Sequence, residues 1–186
     1  LPTTVVQQLS KDVDKDVRRY IARREHLPQE IVCALAADQD VGVRWMVAGR
    51  HDLPTTVVQQ LSKDVHNNVR HHIAQREHLP QEIVSALAAD QDVGVRRTVA
   101  GRHDLSTTVV QQLSEDEEWY VRLRIAQRGR LSQEIVGAFA ADDDVNVRQA
   151  VEGRHGLSTD LRAVIRQSIA QREHLPQEIV CALAAD

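Results

Sequence analysis

Leu27 to Asp52 reads LPQEIVCALAADQDVGVRWMVAGRHD, and this stretch returns as Leu79 to Asp104 and as Leu131 to Gly156. A cousin form occupies Leu1 to His26, Leu53 to His78 and Leu105 to Arg130. Each copy is 26 residues long, with Leu at unit position 1, an apolar pair at 5 and 6, and Leu or Phe at 9. Asp follows at 12, Val at 17, Arg at 18, Ile or Val at 21 and Arg at 24. A strict period in this range marks a repeat array. One unit has too few apolar side chains to offset the backbone entropy of ordering it, so the units fold by stacking on their neighbours.

Within a unit the pattern predicts two short helices. Pro28 opens the first, where its missing N–H is not needed, and Glu30 suits the positive end of the helix dipole. Ser106 and Ser132 replace that proline in two copies and are expected to cap instead. Ile31, Val32 and Leu35 form the apolar stripe, Asp38 and Asp40 cap the second helix, and Val43 and Val47 face inward. Gly42 weakens the second helix, so it is expected as α or 3₁₀. Gly49 is expected to punctuate its end.

The predicted fold class is therefore an all-α solenoid of 26-residue two-helix repeats, α/α or α/3₁₀, in one array over residues 1–186. Its units are 1–26, 27–52, 53–78, 79–104, 105–130 and 131–156, then a shortened unit 157–174 and a partial unit 175–186. Leu161, Val164, Ile165 and Ile169 suggest one continuous helix in the shortened unit, capped by Ser158 or Asp160. The chain begins at the first residue of a unit and stops inside another, which suggests a piece of a longer array. A monomer, or end-to-end contacts through open repeat ends, is expected.

Composition narrows the function classes. A net charge of -4 with only 3% aromatic residues argues against a nucleic-acid or membrane-surface protein. No apolar run reaches membrane-spanning length and no signal-peptide pattern opens the chain, so a cytoplasmic location is expected. Cys33 and Cys181 both stand at unit position 7, several stacked units apart, beyond the reach of a disulfide.

The string Asp38, Asp40, Val43, Arg44, Val47 and Ala48, followed by Pro80, Glu82, Ile83, Val84, Leu87, Ala88 and Asp90 in the next such copies, resembles the variant leucine-rich repeat (LRV) family. The resemblance covers essentially the whole chain. It implies a right-handed superhelix of alternating α- and 3₁₀-helices. The units here are slightly longer than the family's usual ones, which leaves room for a full second α-helix, as in HEAT-like solenoids. A founding member carries an iron–sulfur cluster in a cysteine-rich domain ahead of its repeats; nothing in this sequence matches that domain, so no cluster ligands carry over and no cofactor is expected.

Arg18, Arg44, Arg70, Arg96, Arg122, Arg148 and Arg166 form one row, and Asp12, Asp38, Asp64, Asp90, Asp116 and Asp142 another. The expected role is an internal ladder of bidentate pairs within or between units. A second row at unit position 24, from Arg24 to Arg154 and Arg172, is expected to cover carbonyls at helix ends. The histidines, in the inter-unit turns and at His66, His71 and His72, lack zinc-ligand spacing. No nucleophile elbow, P-loop or dinucleotide fingerprint occurs, and the chain is not expected to be an enzyme.

Residues 1–52 and 53–104 differ at nine places. One is Cys33 against Ser85; the other eight fall in the second-helix region. There Asp14, Lys15, Asp16, Arg19, Tyr20 and Arg23 become His66, Asn67, Asn68, His71, His72 and Gln75, and Trp45 and Met46 become Arg97 and Thr98. Helical spacing puts unit positions 16, 19, 20 and 23 on one face. Later copies continue it with Tyr120, Leu123, Arg124 and Gln127, then Asn146, Gln149, Ala150 and Gly153, and Trp119 beside Tyr120 is, like Tyr20, Trp45 and Met46, of a type enriched at binding hot spots. The exposed first-helix residues Thr3, Thr4, Gln7, Gln8 and Lys11 do not vary between the first two odd copies, so relaxed drift is a poorer account. The expected function is a non-catalytic scaffold that binds a protein or peptide through this face. The alternatives are a nucleic-acid-binding repeat array and, on the family resemblance alone, an accessory role in iron–sulfur or redox metabolism.

Overall fold

The computed structural model describes residues 1–152, together with Ala163 and Gln167. Apart from those two residues, the shortened and partial units, with the continuous helix expected there, and Cys181, Arg154, Arg166 and Arg172 lie outside the described residues. Within them are twelve helices, two to a unit. The first helices are α1 (Thr3–Leu9), α3 (Gln29–Ala36), α5 (Thr55–Leu61), α7 (Gln81–Ala88), α9 (Thr107–Ser114) and α11 (Gln133–Ala140). The second helices are α2 (Lys15–Ala22), α4 (Val41–Ala48), α6 (Asn67–Ala74), α8 (Val93–Ala100), α10 (Trp119–Ala126) and α12 (Val145–Glu152). The chain divides into two compact bodies, Leu1–Arg102 with α1 to α8 and the residues from His103 onward with α9 to α12.

No helix here exceeds eight residues, well below the length at which an isolated helix holds in water. Packing and capping stabilise them. In the first body α2, α4, α6 and α8 pack in series, and α4 and α8 pack on α3 and α7; in the second, α12 packs on both α10 and α11. Leu35, Val43, Val47, Leu61, Ile73 and Leu87 are essentially sealed, so the aliphatic stripe read from the sequence is the core. Among the described residues no helix is long and apolar enough to cross a membrane.

The second helix is α throughout, which settles the open choice between α and 3₁₀. In α4 and α8 its start is held by side-chain acceptors, Asp40 Oδ1 taking the Val43 N–H at 3.2 Å and Asp92 Oδ1 that of Val95 at 3.1 Å, whereas α6 and α10 begin at His66 and Glu118 with no side-chain cap. These caps offset the propensity lost at Gly42 and Gly94. Ser106 and Ser132 cap as expected, accepting from the Val109 and Ile135 amides. The glycine stop needs correction: Gly49 and Gly101 keep right-handed φ of -77° and -78°, the same conformation as Arg23 and Gln75 at that unit position. No left-handed residue ends these helices, so glycine there does not serve the backbone.

Gly137 is a different case. It stands inside α11 where other copies carry Cys33 and Ser85, and a Cβ there would meet nothing within 4 Å. Gly137→Ala is expected to stabilise the chain by about 1 kcal/mol through helix propensity, read as a higher urea midpoint. A lower midpoint would mean that this position is closely packed.

Candidate functional site

The site is built on two opposed arginine ladders that fix one second helix beside the next. In the forward ladder, Arg18 donates Nε to Asp38 Oδ2 at 2.6 Å and Nη2 to Asp38 Oδ1 at 2.9 Å, while Nη1 donates to its own unit's Asp12 carbonyl at 2.8 Å. Arg44 holds Asp64, Arg70 holds Asp90 and Arg122 holds Asp142 with the same fork, each Nε–Oδ2 distance being 2.6 or 2.7 Å. In these four pairs the aspartate is that of the following unit. It also accepts the amide two residues on, as Asp38 does from Asp40 at 2.8 Å. Burial pushes the Asp64 carboxyl up, but the hydrogen bonds from Arg44 and the His66 amide outweigh it and hold the group below the usual carboxylate range.

The second ladder points back. Arg50 donates to the carbonyls of Ala22, Arg24 and Glu25, where α2 ends, and is itself held by Asp52 at 2.7 Å. Arg102 does the same to Ala74, Arg76 and Glu77, and Arg76 reaches Ala48, Arg50 and His51. Carbonyls that a helix C-terminus leaves without partners are thereby satisfied by the neighbouring unit. Burial pushes the Arg76 guanidinium down from its ordinary value, against the raising effect of Asp52.

With unit positions 17, 18, 21 and 22 turned inward, the variable residues stand outside. Tyr20 is 69% exposed and Trp119 40%, so neither belongs to a core. Arg23, Gln75, Arg97, Arg124 and Gln149 are also exposed; Arg19, Trp45, Met46, His71, His72, Thr98, Tyr120 and Leu123 are half-buried. In the first body Trp45 of α4 meets His72 of α6 with ring centroids 4.6 Å apart. In the second, Trp119 and Tyr120 meet edge to face at 5.6 Å. Burial, then the neighbouring His71, pushes the His72 imidazole below its ordinary pKa.

Part of this face also joins units. Arg19 bridges Asp16 at 2.9 Å and Asp40 of the next unit at 2.8 Å. Asn67 makes the corresponding reach to Asp92 at 2.7 Å. The Arg19 guanidinium lies over Gly42, where a Cβ would collide with Nε. The sequence held a signal for this clasp, since Asp40 and Asp92 are constant in the even copies while the odd copies vary around them.

A groove of about 630 Å³ lies against Trp45 and Met46, with Arg23, His26, His51 and His72 around it. A second, of about 560 Å³, runs between His72, Gln75, His51 and His78. The turn histidines and Gly49 were not among the expected site residues. Gly49 matters because a side chain there would press on His72 Nδ1 at 3.3 Å. Among the described residues no group of three His, Cys, Asp or Glu side chains is placed to hold a metal ion.

These stacked helix pairs, locked by repeating polar ladders, define an all-α repeat solenoid. A solved structure described as "a leucine-rich repeat variant with a novel repetitive protein structural motif" is similar at a TM-score of 0.71 and 29% identity, over 90% of this chain and 72% of that one. The chain is an LRV-like repeat protein. No protein-family model matches it, and no curated protein does.

Proposed function

We propose that the chain is a non-catalytic scaffold whose second-helix face binds a protein or peptide. One observation carries this reading. Two nearly identical 52-residue blocks differ almost only at this outward face, and there the changes exchange large recognition-type side chains, Tyr20, Trp45 and Met46 among them. Tyrosine, tryptophan and arginine are the residues that dominate binding energy at interfaces, and Trp45 and Met46 line the groove of about 630 Å³. The second body carries a matching cluster in Trp119, Tyr120, Leu123 and Arg124.

The test is selection from a displayed library of random peptides, run in parallel on the unaltered chain and on Tyr20→Ala/Trp45→Ala. Because both side chains lie outside the core, the double variant should keep its helical circular dichroism. Loss of two anchors is expected to weaken the selected ligands by at least about tenfold. Ligands that bind both forms equally would show that the face is wrongly assigned.

A further inference from the structure

We infer that the second body takes a basic, arginine-rich peptide segment on the exposed face around Trp119 and Tyr120; this rests on the binding reading above and names the ligand for this body. The charge of the chain is not spread evenly. Residues 103–152 hold ten acidic and five basic side chains, whereas residues 1–102 hold thirteen and fourteen. The excess arises where the odd copies otherwise agree. From unit position 11 to 16 the first and third units read KDVDKD and KDVHNN, while the fifth reads EDEEWY. The TTVVQQLS before that run and the VR after it are unchanged, and within it only Asp116 is kept. Two aromatic rings and three carboxylates thus enter one turn together.

The fold does not account for two of these acids. Lys11 and Lys63 follow helix C-termini, where a cation suits the dipole, but Glu115 ends α9 with a carboxylate, against it. Glu118 precedes α10 without capping it, where Asp40 and Asp92 at the same unit position cap α4 and α8. The next turn shares this edge, because one guanidinium bonds both: Arg122 donates to the Asp116 and Glu117 carbonyls at 2.7 and 3.0 Å and to Asp142 at 2.7 Å. In that turn Asp144 accepts the Asn146 and Val147 amides. Among the described residues no cation pairs with Glu115, Glu118 or Asp144. Trp119 stands in solvent, with Tyr120 edge to face against it. A guanidinium satisfies both halves of such a surface, stacking on an aromatic face and donating its forked N–H groups to carboxylates. Arg124, exposed one turn beyond Tyr120, repels a basic ligand and so confines it to the edge formed by the two turns.

The probe is a fluorescein-labelled synthetic peptide of Arg-Arg pairs separated by glycine, followed by fluorescence anisotropy with the full chain. Control peptides carry Glu-Glu or Lys-Lys pairs instead. Two variants graft the third unit's residues into the fifth, so each places side chains that the repeat already accommodates. Glu115→Lys/Glu117→Val/Glu118→His removes the charge, and Trp119→Asn/Tyr120→Asn removes the rings; both should keep their helical circular dichroism. The Arg peptide should bind at least about tenfold more tightly than the Glu peptide, and each graft should weaken it by at least about tenfold. The Lys peptide should bind less tightly than the Arg peptide, since an ammonium group neither forks nor stacks in the same way. No binding of the Arg peptide, equal binding of the Arg and Lys peptides, or binding that ignores the ring graft overturns the inference. Library ligands that need Trp119 but carry no basic residue overturn it too, while leaving this surface as a binding face.

Discussion

Asp90→Ala is expected to cost the fold about 3–5 kcal/mol, the usual penalty for stranding one member of a buried ion pair. Arg70 and Asp90 have side chains only 8% and 7% exposed. The fork between them is bidentate, at 2.6 and 2.7 Å, and Asp90 also receives the Asp92 amide at 2.8 Å. Removing the carboxylate leaves a guanidinium that stays charged at any accessible pH and is too enclosed to be hydrated. It also frees an amide ahead of α8. The double variant Arg70→Met/Asp90→Ala removes the stranded charge, so its loss should fall at least about 2 kcal/mol short of the sum of the single losses. Urea titration followed by circular dichroism measures all three. Strict additivity would show that the ladder is solvated and contributes little.

Leu87→Ala is expected to cost about 2–5 kcal/mol, from lost burial and from the cavity left behind. Leu87 is 1% exposed at unit position 9 of α7, a helix of only eight residues packed on α8. Without Leu87 the eight-residue α7 is held only through Ile83, Val84 and Ala88. In a stack where each unit rests on its neighbours the damage is local first, so amide exchange should speed up in α7 and α8 before the whole body opens. Leu87→Met, which keeps the volume, should lose less than about 1.5 kcal/mol. If the two substitutions prove equally mild, Leu87 is not the anchor its burial implies.

Much of this was legible in the sequence because a repeat states each position several times. Leu35, Leu61 and Leu87 share one unit position, and all three are sealed. Tyr20, Trp45 and Trp119 vary against a constant frame, and all three stand outside the core. The capping roles of Asp40, Asp92, Ser106 and Ser132 were equally readable, since a cap bonds within three residues of itself. Site residues brought together by stacking were harder. Nothing local in His26, His51 or Gly49 says that they border the same groove as Trp45.

What the sequence determined by itself was everything of short range: the 26-residue unit, two helices in each, the inward stripe, the outward variable face, and the need for arginine and aspartate to pair. What tertiary structure decided was the direction of each reach. Arg18 goes forward to Asp38, while Arg50 goes back to the carbonyls of Ala22 and Glu25. A period says that positions 26 apart are alike; it is equally satisfied by a side chain reaching up the stack or down it. Only the docking of one helix pair on the next, which sets where each guanidinium meets its oxygens, breaks that symmetry.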